Sequence, residues 1–432
     1  MSKYPSPVIF LPGIMGCGLR DEYPVSPEMV WSPFKLLIQA YDRITPHPDN
    51  TRLELIEPAR VARDQVFDLI YSEIIEELRH DLSPQADEPV PVFPFAYDWR
   101  QPLEVTQELL NAFIDEVISR TVLLRHYCDA GFGQAGFPPR VNLVAHSMGG
   151  LVAAGYMQKY GDAKVDKVAT IATPFRGSLE AVSKVAIGVG AVGIATNSSR
   201  EREAARVTPS LYYLLPSFAG AVVPATGLPG NLFDSATWQP GIVDTLAAFI
   251  RMYGTNRATP LQEQALTLLG MMLKSAEAHR NSVESLKLSD SKRWLSIVGV
   301  NAKVRVRMGI TADASGAPRF DLSDNDVKNV WPNSEDTGDN TVPYLGARSN
   351  FIPTDQVVCV TPDDFGFWEF KDRILERAGL HISLPNMNLV QKLVVSHLKG
   401  QIYGNAWGHP APDLPAGDKW NPPIPNLTEK RP

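Results

Sequence analysis

Cysteine is scarce in this chain: Cys17, Cys128 and Cys359 are the only three among 432 residues, widely spaced and odd in number. Such usage excludes a disulfide framework and a Cys-x-x-Cys zinc site, so a reducing compartment is the simplest expectation. Clustered positive charge is missing too. Lys and Arg number 41 against 48 Asp and Glu, a net charge of −7. Nucleic-acid binding needs a concentrated basic surface against the phosphates, so no nucleic-acid partner is expected. No apolar run approaches the roughly 20 residues of a spanning helix; the longest, Val185 to Ala195, is interrupted by Gly188, Gly190 and Gly193. Near the start, Val8 to Met15 is broken by Pro12 and Gly13 and does not read as a secretory signal. Neither a His-Glu-x-x-His motif nor a Cys/His cluster is present, so no metal and no other cofactor is expected. Together these absences predict a cytoplasmic protein, with peripheral contact at a membrane surface still open. Nothing in the sequence indicates an oligomeric state.

What is present is organised around Arg140-Val-Asn-Leu-Val-Ala-His-Ser-Met-Gly-Gly150. Val141 to Ala145 is a short apolar run that predicts a buried strand, and Leu151 to Met157 has the apolar pattern of a helix. Ser147 stands at the apex of the turn between them. Such a turn brings the residues two before and two after the serine close together, so both must be small; here they are Ala145 and Gly149. Ser147 is the only serine in the chain with Gly or Ala two before and Gly two after. Strand, sharp turn and helix around it identify a nucleophile elbow.

Further apolar runs lie at Pro7–Leu11, Pro89–Phe95, Lys164–Ala172, Arg293–Val300 and Gln356–Val360, with amphipathic stretches at Val66–Leu82 and Gln101–His126. Strands alternating with helices predict a mostly parallel sheet with helices on both faces, and the elbow at Ser147 makes the α/β-hydrolase arrangement the expected one. Residues 1–400 would form the catalytic domain. Two stretches interrupt it: an irregular insertion at 19–60 and a segment at 178–292, expected as a cap or lid over the sheet's carboxyl edge. Residues 401–432 are Pro-rich and are expected as a tail, wrapped on the surface or frayed. In the first insertion, Trp31, Phe34, Leu36, Leu37 and Ile38 offer either a lipid-facing surface or ordinary core. In the second, residues 182–195 offer a mobile, glycine-rich apolar segment at the pocket mouth.

A serine hydroxyl is a weak nucleophile. It needs a base, and the base needs an acid to orient it. In this architecture the acid and then the base follow the serine in the chain. Asp339, in the polar loop Glu335–Pro343 after the strand at 293–300, is the candidate acid, with Asp336 its local rival. His381, in the loop after the last strand, is the candidate base. His397 falls in a helical pattern where a half-buried face residue is expected, and His146 should point away from the nucleophile. The glycine-rich loop Gly13–Gly18 follows the first strand, as either an ordinary tight turn or an oxyanion loop. In the latter case the backbone N–H groups of Met15 and Met148 would be the oxyanion donors.

The chain resembles the lecithin:cholesterol acyltransferase and lysosomal phospholipase family of α/β-hydrolases. The resemblance rests on Phe10-Leu-Pro-Gly-Ile-Met-Gly16, Tyr97-Asp-Trp-Arg100, Ala145-His-Ser-Met-Gly149, Thr173-Pro-Phe-Arg-Gly-Ser178 and Gly338-Asp-Asn-Thr-Val342, with Leu380-His381 behind them. Tyr97–Arg100 is the most discriminating of these. The resemblance spans roughly Pro7 to Gly400 and is weakest between 178 and 292. It implies Ser147 as nucleophile, Asp339 as acid, His381 as base, and Met15 and Met148 as oxyanion donors. It also implies a lipid or ester substrate and an acyl-serine intermediate, resolved by water or by a lipid alcohol. The departures are Ala145 in place of glycine and the lack of any cysteine between Cys17 and Cys128, where secreted relatives carry a disulfide. Three other functions fit the same features: a carboxylesterase for soluble esters, an exported lipase effector, and a non-catalytic lipid-binding module.

Overall fold

A computed structural model describes residues 4–32, 41–56, 59–188, 199–366, 379–414 and 419–430. Six short strands form its central sheet: β1 (Val8–Leu11), β2 (Val92–Pro94), β3 (Val141–His146), β4 (Val165–Ile171), β5 (Trp294–Gly299) and β6 (Val357–Val360). Their order across the sheet is β6-β5-β4-β3-β1-β2, and every neighbouring pair is parallel. In β1, β3, β5 and β6 every residue is buried. Strands covered on both faces need mostly apolar side chains in both directions, which is why these segments read as predominantly apolar runs.

The longer helices are α1 (Asp68–Leu82), α2 (Leu103–Val122), α3 (Met148–Tyr160), α4 (Leu179–Ile187), α5 (Ser199–Val207), α6 (Pro240–Tyr253), α7 (Leu261–Glu284) and α8 (Asn388–Lys399). The step from β1 to β2 runs one way along the sheet, while β2 to β3 and β3 to β4 run the other. Right-handed crossovers therefore put α1 on one face and α2 and α3 on the opposite one. In agreement, α1 packs with α8 and α2 packs with α3. The reversal leaves a crevice at the carboxyl ends of β1 and β3, the place where open parallel sheets bind ligands. The Gly13–Met15 loop and Ser147 emerge from those two strand ends.

Two expectations change, and one pair of alternatives is decided. The 19–60 stretch is not irregular: Cys17–Asp21 pairs antiparallel with both Glu28–Trp31 and Val61–Val66, and Pro46–His47 pairs with Asn50–Glu54. Trp31 is fully buried against Tyr41 and Trp99, with ring centroids 5.8 and 5.3 Å away, so it faces no lipid. Phe34, Leu36, Leu37 and Ile38 lie outside the described residues.

The 178–292 stretch is largely helical, yet not all of it lies over the sheet's edge. On α7, His279 accepts from the Gln107 amide of α2 at 2.9 Å, and Arg280 donates to the carbonyls of Tyr213 and Leu215 at 2.7 and 3.1 Å. These contacts, and its packing on α3, make α7 part of the helical layer. Within 182–195, Val182 and Val185 are buried on α4, and residues 189–198 lie outside the described residues.

The C-terminal segment lies along the sheet rather than frayed. His409 and Cys359 exchange backbone hydrogen bonds at the β6 edge, and Trp407–Gly408 pairs with Thr428–Glu429. The Asp364 carboxylate receives His409 Nε2, Trp407 Nε1 and Lys430 Nζ, each at 2.8 Å. Among the described residues no helix is long and apolar enough to cross a membrane.

Candidate active site

Strand β3 ends at His146 and α3 begins at Met148, so Ser147 alone makes the turn, at φ 51° and ψ −126°. A non-glycine residue in this region costs on the order of 1–3 kcal/mol and persists only where its surroundings over-determine it. They do so here. The Ser147 N–H donates to Ile171 O at 2.9 Å, and its carbonyl accepts from Gly150 N–H at 3.0 Å. A Cβ on residue 149 would stand 2.5 Å from Leu11 O, so only glycine fits there. Ala145, paired with Leu11 on one side and Thr170 on the other, shows that this position tolerates a methyl group.

Asp339 and His381 come from separate loops, and both reach Ser147's end of the sheet. Asp339 Oδ1 accepts the N–H groups of Thr341 and Val342 at 3.0 and 2.6 Å, which leaves Oδ2 for His381 Nδ1 at 2.7 Å. His381 Nε2 lies 2.9 Å from Ser147 Oγ. With Nδ1–H donated to a carboxylate, Nε2 carries the lone pair and accepts the serine hydroxyl. The two loops are stitched by backbone: His381 N–H donates to Asp339 O, and Leu380 N–H donates to Asn340 Oδ1, both at 2.9 Å. Asn340 holds φ 76°, a conformation that asparagine tolerates better than most residues. Gly299, at the end of β5, lets the acid loop approach, since a Cβ there would meet Asp339 Cβ at 2.6 Å. Asp339 is 1% exposed, and Ser147 and His381 are 6% exposed. So little water around the ionised carboxylate strengthens its hold on the imidazole.

Met148 is the first residue of α3, and the first N–H groups of a helix have no partner within it. Met15 sits at φ 62°, and among the described residues no backbone carbonyl accepts its N–H. The Met15 carbonyl, by contrast, accepts the Trp31 indole N–H at 3.3 Å. Trp31 therefore belongs to the support of this loop.

The rivals lie elsewhere. Asp336 is paired with Arg307 Nη2 at 3.0 Å. His397 is buried on α8 and bonded to Arg293 O at 3.3 Å; burial, then the Lys167 ammonium, holds its pKa down at about 3. His146 does turn from the Ser147 hydroxyl, but into a buried position between Tyr71 and the His381 carbonyl. Sequence reasoning assigned it nothing; its one signal was a histidine at a strand end where an apolar residue would bury more cheaply. Among the described residues, Glu77, His80 and Asp81 on α1 are close enough to hold a metal ion, and none of them is Ser147, Asp339 or His381.

Residues 59–256 match the family model described as lecithin:cholesterol acyltransferase. The matched span contains Tyr97–Arg100 and Ser147 and stops short of Asp339 and His381. The resemblance to that family holds over this span. Among solved structures, the Tle4–Tli4 complex superposes with a TM-score of 0.56 at 16% identity, covering 80% of this chain and 89% of that one. The Bacillus licheniformis lipase BlEst2 in its mature form aligns at 12% identity over 92% of this chain and 93% of that one, with a TM-score of 0.37. No curated protein matches the chain. Its fold is of the α/β-hydrolase type.

Proposed function

We propose that the chain is a serine-dependent lipid-ester hydrolase or O-acyltransferase, with Ser147 as nucleophile, His381 as base and Asp339 as the acid that orients it. The observation that carries this reading is the unbroken path from Ser147 Oγ to His381 Nε2 (2.9 Å) and from His381 Nδ1 to Asp339 Oδ2 (2.7 Å) at the strand-order reversal. As the hydroxyl attacks an ester carbonyl, its proton passes to His381, and the negative charge on Asp339 stabilises the imidazolium. The N–H groups of Met15 and Met148 hold the oxyanion, each worth on the order of 10²–10³ in rate. The imidazolium returns the proton to the departing alcohol or lysolipid, leaving an acyl-serine. Water or a second alcohol, deprotonated by His381, then completes hydrolysis or transfer.

A soluble-ester carboxylesterase is the second reading, favoured by one observation: the burial of Trp31 removes a residue that sequence offered for lipid contact. A fluorophosphonate probe on wild type and on Ser147→Ala tests the shared chemistry. Wild type is labelled and Ser147→Ala is not; equal labelling of both defeats the assignment. A panel of phospholipids and short esters, with and without an added alcohol and with the products identified, then separates hydrolase from transferase and lipid from soluble ester.

A further inference from the structure

Behind the histidine base lies a second, fully buried polar chain that the acyl-transfer steps do not use. The Gly13 N–H lies 3.0 Å from Tyr71 Oη, Tyr71 Oη lies 2.9 Å from His146 Nδ1, and His146 Nε2 lies 3.0 Å from His381 O. We propose that Tyr71 and His146 are positioning residues that tie the backbone of the catalytic histidine to the oxyanion loop through one directed chain of hydrogen bonds. The proposal rests on the Ser147–His381–Asp339 reading above.

The direction of each bond follows from its ends. An amide N–H only donates, so Tyr71 Oη accepts from Gly13. A carbonyl oxygen only accepts, so His146 Nε2 must carry its hydrogen. Neutral imidazole then has its lone pair at Nδ1, where the Tyr71 hydroxyl delivers its one proton. The opposite tautomer would set a ring lone pair against the His381 carbonyl oxygen at 3.0 Å. The tautomer of His146 is therefore dictated from both ends. Burial, then the neighbouring His381, holds the His146 pKa well below its ordinary value, and burial holds the Tyr71 phenol protonated.

Position gives the chain its purpose. His146 directly precedes the nucleophile, and Gly13 stands two residues before Met15. His381 is thus anchored twice through its backbone: its N–H to Asp339 O at 2.9 Å and its carbonyl to His146 at 3.0 Å. The first anchor sets the base against the acid, the second against the nucleophile's strand, and Tyr71 extends the second to the oxyanion loop. A neutral His146 also spares the imidazolium formed in the reaction a like charge at a ring-centroid distance of 5.0 Å. The groups facing His146 are Tyr71 from α1, Gly13 from the loop and His381 from the base turn.

The test uses the full chain, a short soluble ester, and the variants Tyr71→Phe, His146→Leu and His146→Gln, with Ser147→Ala alongside. Tyr71→Phe and His146→Leu should lower kcat by roughly 10- to 100-fold with little change in KM, the scale of a small misplacement of reacting groups. His146→Gln, which can still offer an N–H to the His381 carbonyl, should recover most of the His146→Leu loss. Histidine-selective 15N NMR on the eight histidines should show His146 as the neutral Nε2–H tautomer through the range in which a free imidazole takes up its proton; in Tyr71→Phe the Nε2–H should stay on the His381 carbonyl while the Nδ1 resonance shifts as its hydrogen bond is lost. Wild-type kcat with an unshifted Nδ1 resonance in Tyr71→Phe overturns the proposal, and so does a folded His146→Gln no better than His146→Leu. If His146→Leu fails to fold, the other two variants still decide. Turnover by Ser147→Ala would instead bring down the catalytic reading itself; an inactive Ser147→Ala beside an unaffected Tyr71→Phe brings down only the brace.

Discussion

Tyr97 donates its hydroxyl to the Pro12 carbonyl at 2.8 Å, with both groups buried. This bond fixes the start of the loop that carries Gly13 and Met15. Three residues on, the Arg100 guanidinium is bidentate to Asp98, at 2.9 and 2.7 Å, and reaches Glu54 Oε1 and Ile44 O at 3.0 Å each. The segment Tyr97–Arg100 thus holds the candidate oxyanion loop with its first residue and the 41–56 hairpin with its last. Its residues are there for support.

The first prediction concerns that clamp. Arg100 is 2% exposed, and removing its charge leaves Glu54, at 7%, and Asp98 without their cation. Arg100→Met should cost about 3–5 kcal/mol in urea unfolding, the penalty for breaking a buried ion pair from one side. Arg100→Lys should recover only part, because an ammonium cannot form the bidentate fork. A loss below about 1 kcal/mol in Arg100→Met would show that the carboxylates find other partners.

Asp339→Asn and His381→Ala should each lower kcat by about 10⁴ or more, the usual scale for such partners. Asp336→Asn and His397→Ala should cost far less, since Asp336 bonds Arg307 and His397 bonds Arg293 O away from the site. Steady-state kinetics on one soluble ester decides it. A larger loss in His397→Ala than in His381→Ala would move the base.

Acid should destabilise the fold well before the carboxylates titrate. His279 and His397 are buried, and burial first, then Arg280 and Lys167 respectively, lowers each pKa to about 3. Unfolded, each titrates near 6.5. A folded pKa below the unfolded one means that the full stability is present above about pH 6.5 and drains away as pH falls towards 3, by at most about 1.4 kcal/mol per unit for each histidine. His279→Gln should therefore flatten unfolding free energy against pH between about 6.5 and 5. An unchanged slope would mean that the histidine protonates in the folded state.

Trp31→Phe keeps most of the packing on Tyr41 and Trp99 but removes the N–H given to Met15 O. Hydrolysis of a short soluble ester and of vesicle lipid should fall together, by several-fold, as expected for a loss of about 1 kcal/mol in one loop hydrogen bond. A loss confined to vesicles would restore the lipid-facing role that burial argues against.

The sequence by itself was sufficient for the features that are local or periodic. Parallel strands buried on both faces are predominantly apolar, so β3, β5 and β6 stood out close to their structural bounds, and β4 did so through its apolar half after the half-buried Asp166 and Lys167. The elbow at Ser147 was legible because its demand for small neighbours is met within five residues. Asp339 and His381 could be named from chain order and from a family resemblance. Their meeting, 42 residues apart from each other and with His381 234 residues beyond Ser147, was decided only by the way the β5 and β6 loops converge. The small sheet between Cys17 and Val66 could not be read, because its strands are short and mixed and owe their pairing to partners up to about fifty residues away. The same holds for burial of single side chains. Trp31 reads equally as lipid-facing or as core, and His146 as an idle histidine, until the elements that cover them, Tyr41 with Trp99 and Tyr71 with His381, are brought together. Local pattern determines which segments can be strand or helix; which side chains lose their water depends on what the tertiary fold packs against them.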